Sequence, residues 1–152
     1  MIDEGKNTEI ILKFIHKNFP EIGNIESNKF KTLKQRLNVC IQCIKAYLNK
    51  ECKGKFNINN NFTKTLYASI HLHLHINYIE NTTPFWAVYL LQMVLICRGY
   101  NCDLNGIYTN ITMKCFKQFK KDNDVKSNKY PYEVTSSIWY KLLTIKGGNN
   151  DE

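Results

Sequence analysis

An apolar run from Phe85 to Cys97, 13 residues broken by one polar side chain, Gln92, sets the first limit on the fold. As a helix it would rise about 20 Å, short of the ~30 Å hydrocarbon core of a bilayer. It therefore reads as a helix covered by protein on nearly every side. Such a helix needs other elements around it. Thr83 and Pro84 just before it are expected as N-cap and first helical residue. Gly99 just after it is the expected stop.

The rest of the chain is patterned to supply the cover. Ile11, Leu12, Ile15 and Phe19 recur on one helical face over Thr8–Phe19, which Pro20 ends. Leu33, Leu37, Cys40, Ile41, Ile44 and Leu48 are in register over Lys29–Leu48. A polar loop, Asn49–Asn61, precedes a helix over Thr63–His73. The connector His75–Thr82 has some strand character. A fifth helix is expected over Thr112–Lys121, with Phe116 and Phe119 inward and Lys114, Lys117, Lys120 and Lys121 largely outward. A last helix covers Ser136–Leu143, anchored in the core by Trp139. The expected class is all-α.

Charge narrows the function only a little. Lys and Arg number 21 against 13 Asp and Glu, a formal +8. Only Arg36 and Arg98 are arginines. The abundance of Asn, Lys and Ile looks like base-composition drift, which discounts the charge as a sign of a polyanion partner. The excess lies in residues 34–80 and 81–152, and no segment is a dense basic block. Nothing near Met1 reads as a secretory signal. The expected location is the cytoplasm until lysis, or the cell wall after release.

A search for internal repeats finds one. A helix, a polar loop ending in an aromatic, and a second helix appear more than once. The last third carries Leu91-Gln92, Gly99-Tyr100, Asn105-Gly106, Tyr108, Thr112, Phe116, Phe119, Asn123 and Trp139 in order. This pattern resembles the bacterial peptidoglycan-binding domain of type 1, a small three-helix module attached to many cell-wall hydrolases. The resemblance implies tandem modules: half a module over 1–33, a degenerate one over 34–82, the best match over 83–147, and a frayed tail over 148–152.

The resemblance departs at its turns and at one position of its second helix. Asn105 replaces an Asp, Thr109 a Gly, Lys120 a Gln and Asp124 a Gly. A left-handed Gly can become Asn at modest cost, but not Thr. The implied function is non-catalytic binding of bacterial cell wall, the ligand being peptidoglycan glycan or stem peptide. The implied ligand-binding residues are Tyr100, Asn105, Gly106, Tyr108, Lys117, Tyr130 and Tyr132. Amides and exposed aromatics would engage sugar or peptide, and lysines would offset anionic groups. A module of the same fold used for protein–protein contact is the first alternative. A basic nucleic-acid binder is the second, weakened by lysine-only charge without a recognised motif. No membrane partner is expected.

Other chemistry has less support. His71 and His75 are one helical turn apart, a spacing that zinc sites use, but no acidic residue lies nearby in sequence. No metal or cofactor is expected. Six cysteines, Cys40, Cys43, Cys52, Cys97, Cys102 and Cys115, read as free thiols in core positions. Cys40 with Cys43, and Cys97 with Cys102, are the pairs that sequence proximity offers for redox chemistry. No nucleophile–base set, carboxylate pair or phosphate loop stands out, so no enzymatic activity is expected.

Overall fold

The protein is described here by a computed structural model covering residues 4–79, 82–127 and 129–145. The expected tail, 148–152, lies outside these residues. Six α-helices run through them: α1 Glu4–Asn18, α2 Leu33–Glu51, α3 Lys64–His73, α4 Trp86–Cys97, α5 Asn110–Asp122 and α6 Ser136–Leu143. Two 3-10 turns, Pro20–Ile22 and Ser27–Lys29, join α1 to α2. Among the described residues the β pairing is one isolated antiparallel bridge, Ile76 with Val134. Among the described residues of the 75–82 connector, the expected strand character is that pair of backbone hydrogen bonds.

The apolar run forms α4, and every residue from Leu90 to Cys97 is buried. Helices α1, α2, α5 and α6 pack on it. At its end Gly99 takes φ +102°. The Gly99 N–H donates to Ile96 O at 2.9 Å and the Tyr100 N–H to Leu95 O at 3.0 Å. These are the two bonds of a Schellman stop. The start differs from expectation. Thr83 and Pro84 stay outside the helix, and Phe85 is the N-cap with extended backbone. The Phe85 N–H donates to Gly106 O at 2.9 Å, so a contact with a distant loop decides where α4 begins.

Four helices start on a threonine whose hydroxyl accepts an N–H three residues on: Thr32, Thr63, Thr109 and Thr135. Each such cap stabilises by about 1 kcal/mol. Thr32 and Gln35 complete a capping box, which places the start of α2 at Leu33 rather than Lys29. Likewise Thr109 starts α5 at Asn110, ahead of Thr112. Trp139 is fully buried, and its indole N–H donates to Leu74 O at 2.9 Å, tying α6 to the end of α3.

One buried cluster extends from Ile11 to Leu143. Residues expected in different modules thus share a core: α4 packs against both α1 and α2, and α3 against α6.

Candidate functional site

Gln92, the polar residue inside the apolar run, has no exposed surface. Its Oε1 accepts from the N–H groups of Asn105 at 2.9 Å and Gly106 at 2.8 Å. Its Nε2 donates to Asn105 Oδ1, Ile107 O and Thr112 Oγ1 at 3.0–3.1 Å. Asn105 Oδ1 also accepts from the Ile107 N–H at 3.0 Å, an Asx-type turn. Gly106 has φ +75°, and a Cβ there would meet the Tyr89 ring at 2.5 Å. The turn therefore needs glycine at 106 for two reasons, conformation and space.

The same device recurs one helix pair earlier. Buried Lys45 of α2 donates to Asn59 Oδ1 at 2.6 Å, and Asn59 Oδ1 accepts from the Asn61 N–H at 3.0 Å. Phe62-Thr63 then opens α3 as Tyr108-Thr109 opens α5. In both places a buried polar side chain on the first helix holds the loop asparagine ahead of a threonine cap.

The expected site residues fall into separate places. Asn105 and Gly106 belong to the loop just described, and Gly106 is buried. Tyr108 was expected as an exposed stacking aromatic. It is 3% exposed, because the side chain packs under the loop. Its hydroxyl donates to Tyr132 O at 3.2 Å, linking loop to turn. Burial pushes the Tyr108 phenol well above its usual value.

Tyr130 and Tyr132 do come together at the surface. Their rings stack with centroids 5.4 Å apart and planes 16° from parallel. Lys129 lies over the Tyr130 ring at 5.4 Å. Lys120 props up this turn. Expected outward, it is buried, and its ammonium donates to Ser127 Oγ at 2.8 Å and Pro131 O at 2.6 Å. Burial lowers its pKa, with Lys117 adding to the effect. Asp124 takes φ +53°, so an Asp here adopts the left-handed backbone that favours glycine. Thr109 has φ −91°, extended backbone that any residue adopts, and serves as a cap.

Lys117 lies on the exposed outer face of α5, in a shallow depression of about 360 Å³ with Lys114, Gln118 and Lys121. Tyr100 is elsewhere again, lining a groove of about 850 Å³ at the C-terminal end of α4. Its hydroxyl donates to Asp122 Oδ2 at 2.7 Å, and Gln118 Nε2 donates to Asp122 Oδ1 at 2.8 Å. Burial first, and the Asp122 hydrogen bond second, push the Tyr100 phenol up. The same hydrogen bond holds the Asp122 carboxyl below its ordinary value.

Residues that the sequence did not single out as a site also line this groove: Arg36 and Arg98. Arg36 Nε donates to Cys97 O at 2.6 Å and Nη1 to Lys31 O. Arg98 Nε and Nη2 donate to Leu142 O at 2.7 Å, Lys141 O at 2.9 Å and Thr144 O at 2.6 Å. Each guanidinium closes a helix C-terminus, where its charge also suits the dipole. The signal that could have found them was their rarity: two arginines survive among 21 basic residues, at positions where a planar fork does what an ammonium cannot.

The histidines and cysteines regroup in space. His71 and His75 stack at 6.3 Å, and His75 Nε2 lies 2.8 Å from Glu133 Oε2, a carboxylate that the fold brings in. Among the described residues no group of three or more His, Cys, Asp or Glu is arranged to hold a metal ion. Cys97 meets Cys40 across α2 and α4 rather than Cys102, and their thiol hydrogen bond pushes the Cys40 pKa up ahead of burial. Cys102 pairs with Cys115, and burial pushes Cys102 up to about 12. Comparison of the chain with protein-family models, with curated proteins and with solved structures finds no match.

Proposed function

We propose that this chain is a non-catalytic binding module for bacterial cell wall, and that it engages peptidoglycan glycan or stem peptide through the turn carrying Tyr130 and Tyr132. The observation that carries the reading is the stacked tyrosine pair, Tyr130 exposed and Tyr132 half-buried, on a turn whose carbonyls accept from Tyr108 and Lys120. A rigid aromatic platform binds with little loss of side-chain freedom. Sugar C–H faces pack on such rings, and Lys129 beside them suits the wall's carboxylates. The resemblance supports the same reading, since its hallmark residues Gln92, Asn105, Gly106 and Thr112 form one hydrogen-bonded unit.

The test is co-sedimentation of the reduced protein with sacculi stripped of teichoic acid, at low salt and at about 0.5 M, where charge is screened within several ångströms. Binding that survives high salt and drops about tenfold in Tyr130→Ala/Tyr132→Ala supports the proposal. Tyr108 is left alone because its loss would disturb the loop. Binding unchanged in that variant moves the site, and binding lost with salt reduces it to general attraction by a +8 protein.

A second reading, protein–protein contact through the same fold, is favoured by apolar exposure. Leu72 on α3 is 75% exposed and Tyr78 58%. A partner recovered from lysate, released by Leu72→Asp and accompanied by no affinity for sacculi, would favour this reading.

A further inference from the structure

The groove beside α4 opens between the first half of α1, the segment around Ser27 and Phe30, and the end of α4. Tyr130 and Tyr132 do not line it, so it is independent of the wall-binding reading. Its volume of about 850 Å³ lies in the range of small-molecule sites. Ile11, Phe30 and Ile96 supply apolar wall, and both arginines of the chain supply charge. Neither guanidinium has a carboxylate within ion-pair distance among the described residues. Asp122, the carboxylate in the lining, is already held by Tyr100 and Gln118.

The arginines are fixed before any ligand arrives. Each spends Nε and one terminal nitrogen on backbone carbonyls. That leaves Arg36 Nη2 and Arg98 Nη1 without a protein acceptor among the described residues. Arg98 is further held over the Phe119 ring at 5.0 Å. Two forks anchored by helix ends, each with donors left over, next to an apolar wall, suit a ligand with one charged end and one apolar end.

We propose that this groove binds a small molecule carrying an oxyanion, carboxylate or phosphate, on an apolar body. The oxyanion takes the remaining guanidinium donors. The apolar body packs against Ile11 and Phe30. Pre-held side chains lower the ordering cost of binding.

The test uses the full-length, ¹⁵N-labelled protein titrated with inorganic phosphate, phenyl phosphate and benzoate at about 0.15 M salt. Phenyl phosphate or benzoate should move the amide signals of Gly99 and Tyr100 and bind about tenfold tighter than inorganic phosphate. Which of the two binds tighter assigns phosphate or carboxylate. Arg36→Gln should weaken binding about tenfold. Ser27→Trp, at an exposed rim position, should block the groove without removing any of these hydrogen bonds. Should Arg36→Gln fail to fold, Ser27→Trp decides. The proposal is overturned if no probe moves those signals, if Ser27→Trp binds as the parent does, or if the shifts gather on Lys114, Lys117 and Lys121.

Discussion

Gln92 shows how one polar side chain organises an otherwise apolar helix. Its Oε1 serves two backbone N–H groups of the 105–106 turn. Leucine at 92 would fit the apolar run and leave both donors without an acceptor. A buried donor left unpaired costs about 1–3 kcal/mol. Gln92→Leu is therefore expected to destabilise by about 3 kcal/mol and lower Tm by about 10 °C, despite its greater hydrophobicity. Thermal unfolding by circular dichroism checks this, and an unchanged or raised Tm would refute it. From sequence alone Gln92 was visible as an anomaly, and the resemblance gave it a place. The partners it serves lie 13 to 20 residues away and no local pattern names them. Tyr108 failed in the opposite direction: an aromatic beside a turn glycine reads as exposed, but the turn folds over it.

At the scale of elements, periodicity located five of the six helices, because each buries one face and its apolar residues recur accordingly, and the unbroken apolar run located α4, which is buried nearly all round. The ends were less legible where tertiary contacts set them. Gly99 stopped α4 as expected, since a left-handed residue is a local requirement. The start of α4 moved to Trp86 because Gly106 O, from another element, takes the Phe85 N–H. Just past α2 and its C-cap Cys52, Lys53 takes φ +60°, a conformation that costs a side-chain-bearing residue about 1 kcal/mol. Lys53 is exposed, so Lys53→Gly is expected to stabilise by about 0.5–1 kcal/mol. A small rise in the urea midpoint at unchanged slope checks it. The duplicated loop device, Lys45–Asn59 and Gln92–Asn105, is an element-level echo that the sequence offered only as a faint repeat. Lys and Gln differ in charge and shape, but each donates an N–H to an asparagine carbonyl oxygen.

For the whole molecule, the buried thiols set an alkaline limit. Cys40 and Cys43 are pushed well above the ordinary thiol value near 9, Cys43 by burial foremost and Cys40 by Cys97 and burial. Cys102 is pushed up to about 12. Above pH 9 the unfolded chain releases these protons while the folded chain keeps them. Stability is thus full below pH 9 and falls as pH rises toward 12. Lys45 and Lys120, lowered by burial, work the other way. The thiols outnumber them, and the raised phenols of Tyr100 and Tyr108 act in the same sense as the thiols, so a net loss of stability is expected by pH 10.5. Urea unfolding under reducing conditions at pH 8 and 10.5 measures it, and a flat profile would refute it. Cys102→Ala should flatten the slope in part.

The helical class, the buried central helix, the Gly99 stop and the inward Trp139 were legible in the chain alone, because each follows from residues within a few turns of one another. Which surfaces are available depended on how the helices assemble. That assembly sank Tyr108 and Lys120, stacked Tyr130 on Tyr132, drew Glu133 to His75, and set both arginines on one groove at the end of α4. Those outcomes depend on which helix ends meet in space. A one-dimensional pattern records which face of a helix is apolar, but not which distant carbonyls and carboxylates that face will find.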